Sequence, residues 1–190
     1  MTVILTENSI SGMQWPAAWA GRKNGQIWSV SESCQIEEVQ LRLSRLGTIG
    51  TGTVEIWSTE YRDGGYFPST QLGTDAYDGS EWSTSGEVKT FTFDIPLDLE
   101  AGYYAVVLTQ DLGDVNNCVK WLMSSGGTTG MYYTDADPVW RSAYTRDYHI
   151  LGTWAGAPPD LPGKPINPTP ADAVAGVSLN LALLEWESGS

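Results

Sequence analysis

A chain of 190 residues holds one good-sized domain with residues to spare for a tail. Only 17% of it is charged, against 41% hydrophobic and 11% aromatic, and its 21 Gly and 10 Pro favour many short strands joined by turns. A net charge of -13 repels phosphate backbones and argues against nucleic acid as a partner, and no apolar run reaches the roughly 18 residues of a membrane-spanning helix, so no membrane insertion is expected.

Taken in chain order, Met1-Thr2-Val3-Ile4-Leu5-Thr6-Glu7 has neither a basic region nor a long apolar stretch and does not read as a secretory signal peptide. The segment Gln26-Ile27-Trp28-Ser29-Val30 reads as a short strand. Val39, Leu41 and Leu43 alternate with Gln40, Arg42 and Ser44, the period of a half-buried strand. After the turn Gly47 to Gly52, Thr53-Val54-Glu55-Ile56-Trp57 forms the next strand. Lys89 to Ile95 alternates again and is expected to stop at Pro96. Tyr103 to Leu108 is apolar on both faces, as for a central strand covered on both sides. Cys118 to Met123, Gly130 to Tyr133 and Tyr148 to Trp154 complete about eight strands.

The gaps carry turn formers, among them Asp63-Gly64-Gly65, Asp78-Gly79-Ser80, Ser85-Gly86 and Ser124-Ser125-Gly126-Gly127. This texture predicts an all-β chain folded as an antiparallel β-sandwich, with a jelly-roll-like arrangement. The sandwich is expected over residues 1–156 and a stiff, extended proline-rich linker over 157–176, where six of the residues from Pro158 to Pro170 are proline. Residues 177–190 form a strand-like arm. In it Val177, Leu179, Leu181 and Leu183 share one face and, with Trp186, are candidates for assembly by strand addition to another subunit or protein.

Cys34 and Cys118 are too few for a disulfide framework or a metal site. Two alternatives remain for them. They form one disulfide, whose loop of about 85 residues would contribute roughly 4–5 kcal/mol, or they are buried free thiols.

Catalytic signatures are missing from the sequence. Its single histidine, His149, sits in the alternating run Tyr148-His149-Ile150-Leu151 and reads as a strand residue, with no Gly-x-Ser-x-Gly elbow for it to serve. No phosphate-cradling or dinucleotide-binding glycine pattern occurs. Glu38 and Glu55 lie on strands and could in principle supply paired carboxylates for glycoside hydrolysis, but 23 acidic residues make such coincidences unavoidable. The expectation is a chain without catalytic residues.

The aromatic residues say more. Nine Trp and nine Tyr exceed the needs of a core this size, and Tyr61, Tyr66, Trp82, Tyr132, Tyr133, Trp140 and Tyr144 fall in turns or polar stretches. Aromatic planes stack on the C–H faces of sugars while neighbouring polar groups bond the hydroxyls. Tyr132, Asp135, Asp137, Trp140 and Arg141 gather these elements within ten residues and are the ligand candidates. The alternative is that such rings cap the sandwich or pack a subunit interface. Asp111, Asp114 and Asn116 group hard oxygen ligands in one turn and are candidates for a structural calcium ion, without matching the EF-hand loop.

Ile27-Trp28-Ser29-Val30 followed by Ile36 to Gly47 resembles the opening of the choice-of-anchor type β-sandwich domains of bacterial surface and phage structural proteins. The similarity continues through Leu99-Glu100-Ala101-Gly102-Tyr103 to Leu108, and at Trp140 with the closing strand Tyr148 to Trp154, covering about residues 20–155. Pro162 to Trp186 resembles the linker and first strand of a fibronectin type III or Ig-like module. The resemblance implies adhesion, carbohydrate contact or particle architecture, and it brings no catalytic residue. The expected function is therefore a non-enzymatic structural or surface-display module on a virion or outside the cell. Its partners would be further copies or other virion or surface proteins. The second reading is a glycan-binding adhesin module.

Overall fold

The computed structural model describes residues 3–4, 13–125, 129–142, 146–148 and 150–154. In chain order the strands are β1 (Val3–Ile4), β2 (Met13–Ala18), β3 (Arg22–Val30), β4 (Cys34–Leu46), β5 (Thr51–Arg62), β6 (Gly65–Asp78) and β7 (Glu87–Leu99). They continue as β8 (Gly102–Leu108), β9 (Cys118–Ser125), β10 (Gly130–Thr134), β11 (Asp137–Ser142), β12 (Arg146–Tyr148) and β13 (Ile150–Trp154). Every strand pair is antiparallel, and the strands form two sheets packed face to face, the expected β-sandwich. Among the described residues no helix is long and apolar enough to cross a membrane.

One sheet has six strands in the order β11-β10-β3-β8-β5-β6. The other has seven and is organised around β4, which pairs with β7 along one edge and with β13 and then β9 along the other; β2 and β12 join β9, and β1 joins β13. Between the sheets lies a core whose alternation is visible in the sequence. Val39, Leu41 and Leu43 of β4, Phe91 and Phe93 of β7, and Val106 and Leu108 of β8 all enter it, as does the fully buried Trp121 of β9.

β1, β2, β6 and β11 have no counterpart among the expected strands, and three further features depart from the sequence reading. Pro96 does not end its strand. Thr92 pairs with Glu38 and Leu97 with Ile36, so the residues between them bulge out of the ladder, and the proline sits where no backbone N–H is needed. The closing segment is two strands, with β12 on β9 and β13 on β4, and His149 between them lies outside the described residues. The third departure is Trp82, which is 8% exposed and packs on Tyr77 at 4.7 Å within the core.

The turn expected at Asp63-Gly64-Gly65 is a two-residue hairpin loop. Arg62 pairs with Gly65, and both central residues, Asp63 (φ 50°) and Gly64 (φ 80°), take the left-handed conformation of a type I′ turn. It joins β5 and β6, the longest hairpin of the fold. At Asp78 the carboxylate accepts from the Ser80 backbone N–H at 2.9 Å, which holds its pKa below the ordinary value.

The cysteines resolve in favour of free thiols. Cys34 pairs with Leu99 at one end of β4, and Cys118 with Leu46 at the other. A strand of 13 residues separates those ends by roughly 40 Å at about 3.3 Å per residue, whereas a disulfide needs Cα atoms within about 7 Å. Both thiols are free and buried. Native protein at about pH 8 should leave both unlabelled by a thiol reagent, since the thiolate is the reactive form. Denaturation should release both for reaction. Rapid labelling of the native chain would contradict this placement.

Candidate functional site

The six-stranded sheet is apolar on its outer face as well. Alternation on β8 sends Val106 and Leu108 into the core and Ala105 and Val107 outward, with Tyr103 beyond them. Cross-strand pairing extends the outward set: Gly25 of β3 stands opposite Val107, Ile27 opposite Ala105, and Met131 of β10 opposite Gly25. On β5, Glu55 pairs with Val107 and Trp57 with Ala105. Ile27, Ala105, Val107 and Met131 form a second buried cluster, against which Trp57, Tyr66 and Trp140 pack. The edge strands β6 and β11 touch each other, so the sheet curls around this cluster and the face is concave.

At one end of that face lies a cleft of about 170 Å³. Ile27, Tyr66, Phe67, Tyr103 and Met131 give it apolar walls, and Thr129, whose hydroxyl accepts from the Gln26 side-chain amide, and Ser142 complete the lining. Tyr66 and Tyr103 stack with centroids 3.9 Å apart and planes within 18°, and Tyr61 meets Tyr66 edge-on at 5.1 Å. The outer rings stay in water, Tyr61 at 66% and Tyr103 at 45% exposure. Rings held by stacking yet left exposed present a preformed apolar platform.

A carboxylate is built into the same face. Glu55 is 8% exposed, and its two oxygens accept from Thr53 Oγ1 at 2.9 Å and from the Trp57 indole N–H at 2.8 Å. The Thr53 and Thr109 hydroxyls are 2.7 Å apart and extend the network. The arrangement fixes the Trp57 ring by hydrogen bond and satisfies the acid without a cation. Glu38 belongs to the other sheet, on the side of β4 facing away from the core, so these two carboxylates lie on opposite outer faces of the sandwich and do not form a pair.

The ligand candidates of β10 and β11 are divided by the hairpin they form. Tyr132 pairs with Arg141 on one face, where Arg22 lies over the Tyr132 ring at 5.3 Å. Tyr133 and Trp140 meet on the other face, 5.5 Å apart, with Lys23 over Tyr133 at 5.9 Å. Asp137 accepts from Arg141 at 2.6 Å, which raises the arginine pKa further, and Asp135 donates its backbone N–H to Gly21. Of the five candidates, Trp140 alone packs against the concave cluster.

In the calcium-candidate turn, Asp114 Oδ1 accepts from the backbone N–H groups of Asn116 and Asn117 and from the Asn117 amide, and Asp111 accepts from Thr51 at 2.6 Å. These bonds shape the loop as an Asx turn. Gln110 braces it from beneath, receiving the Val119 N–H at 2.8 Å and donating to the Asn117 carbonyl at 3.1 Å. Among the described residues no three His, Cys, Asp or Glu side chains gather at metal-binding distance. Tyr144 and the assembly residues Val177, Leu179, Leu181, Leu183 and Trp186 lie outside the described residues.

No family model matches the chain, and no curated protein matches it.

Proposed function

We propose that this chain is a non-enzymatic binding module, displayed on a virion or another exterior surface as its sequence suggests, that holds a neutral glycan on the concave face of the six-stranded sheet. The observation that carries the reading is the exposed tyrosine platform, Tyr61 and Tyr103 around Tyr66, at the mouth of an apolar cleft. Sugars offer the C–H faces that such rings stack on. The strong negative charge of the chain disfavours anionic polysaccharides. Trp57, held by Glu55, and Trp140 continue the aromatic surface along the face, which suits an extended oligosaccharide.

The test is an array of neutral glycans probed with the full chain and with Tyr61→Ala and Tyr103→Ala. Both side chains are exposed enough for the variants to keep the wild-type melting temperature. Each should weaken binding by about ten-fold or more, equivalent to about 1.4 kcal/mol of lost contact. Absence of binding by the wild type, or binding undiminished in both variants, would overturn the assignment.

A further inference from the structure

We infer that Trp57 forms a second stacking subsite on the concave face and that Glu55 is the positioning residue that sets its indole. The inference rests on the glycan reading above and deepens it from one aromatic contact to two. Glu55, Trp57 and Tyr61 stand on the outward side of β5 by alternation, with Tyr61 beside Tyr66 at the cleft. From Trp57 to Tyr61 the strand advances roughly 13 Å at about 3.3 Å per residue, further than one pyranose ring reaches. A ligand that touches both is an oligosaccharide rather than a single sugar.

Two observations single out Trp57. The first is its partner strand. Ile56 pairs with Gly73, Trp57 with Gln71 and Thr59 with Pro68, so β6 carries an extra residue on each side of the position opposite Trp57. The Ser58 hydroxyl closes the second bulge, accepting from the Thr70 N–H at 3.2 Å and lying 3.3 Å from the Thr70 carbonyl. Bulges re-aim side chains and concentrate beside functional sites, and here two of them flank one residue. The second observation is the acid. Burying a carboxylate is unfavourable unless its oxygens are bonded, and an aliphatic side chain would fill this apolar face without that penalty. At 8% exposure Glu55 accepts from Thr53 on one oxygen and from the Trp57 N–H on the other, so what the acid holds is the indole. The position needs an acceptor rather than a charge. A glutamine there would offer its carbonyl to Trp57 and its amide N–H to Thr53 Oγ1, whose own hydrogen can turn to Thr109 Oγ1 at 2.7 Å.

Calorimetric titration of the full chain with the two-unit and six-unit members of the cello-, malto- and manno-oligosaccharide series tests the pair of subsites. In the series that binds, the longer sugar should bind about ten-fold or more tightly than the shorter, the scale of one aromatic anchor. Glu55→Gln should keep that preference. Glu55→Leu, which has no acceptor, should lose it. So should Trp57→Phe, which keeps a ring but has no N–H and leaves the acid untouched. The Trp57 indole proton, recognised in nuclear magnetic resonance spectra by its absence from Trp57→Phe, should exchange slowly with water in the wild type and in Glu55→Gln, and rapidly in Glu55→Leu. Slow exchange in Glu55→Leu, or an unchanged length preference in Trp57→Phe, overturns the positioning role and leaves the glycan reading standing. Equal affinity of the wild type for short and long sugars overturns the second subsite alone. Binding of no series overturns both readings.

Discussion

The Val106→Asp substitution should abolish cooperative folding of the sandwich. Val106 is 1% exposed on β8, which lies between β3 and β5 in the six-stranded sheet and pairs Val106 with Gln26 on one side and Ile56 on the other. Its side chain enters the main core, and among the described residues the buried polar and charged groups include no cation to pair with a carboxylate. Burying that charge costs several kcal/mol, or forces the acid to protonate at similar expense. A domain stable by roughly 5–15 kcal/mol loses a large share of its margin. Val106→Ala separates charge from volume: it should cost about 2 kcal/mol and leave a shallower but cooperative melt. A Val106→Asp protein that melts within a degree or two of wild type by circular dichroism would sink the assignment of β8 to the centre of the sheet.

A second large effect is expected from alkali. Burial pushes the thiols of Cys34 and Cys118 up to about 11 from an ordinary 9.0; for Cys118, Lys120 lowers and Asp114 raises it secondarily. Burial, and then the charge of Asp111, pushes the Tyr77 phenol above its usual range, and its hydroxyl donates to the Thr109 carbonyl. In the unfolded chain these groups ionise near their ordinary values, while in the folded chain they stay protonated. Their contribution to stability is therefore complete below about pH 9 and is lost as the pH rises toward 11. At about 1.4 kcal/mol per pH unit, each thiol removes on the order of 2 kcal/mol over that window, and Tyr77 adds to the loss above about pH 10. The melting temperature should fall steeply between pH 9 and about 11, and less steeply in the Cys34→Ala, Cys118→Ala double variant. A flat profile to pH 11 would show that water reaches the thiols in the native state.

How much of this was legible depended on which face a strand shows the core. Val39, Leu41 and Leu43, or Phe91 and Phe93, advertise one buried face, and their alternation is readable at once. The run Tyr103 to Leu108, apolar at every position, signalled a second covered face without revealing what covers it. The concave cluster joins Ile27, Ala105, Val107 and Met131 from three strands that are far apart in the chain, and no local pattern links them. β6 escaped because an edge strand buries little: of its fourteen residues only Phe67, Pro68 or Tyr77 resembles a core position, and the rest read as loop. Tyr132 to Arg141 looked like one site because proximity in sequence was taken as proximity in space. The strand expected at Gly130 to Tyr133 already places Tyr132 and Tyr133 on opposite faces by the period of two, and the unexpected β11 divides Trp140 from Arg141 in the same way. Pro96 misled for a related reason, since a bulge removes the backbone donor that a proline cannot supply.

The type I′ turn at Asp63-Gly64 has a kinetic consequence. It brings β5 and β6 together with only two residues to close, a step of microseconds that requires little loss of chain entropy. β4, by contrast, must recruit residues 87–99, 118–121 and 150–154 before its edges are filled. The hairpin can thus serve as the nucleus on which β8 and then β3 assemble, and closure of the seven-stranded sheet comes last. Destabilising changes at the hairpin should then slow folding, whereas changes at the β4–β13 seam should leave the folding rate alone and hasten unfolding.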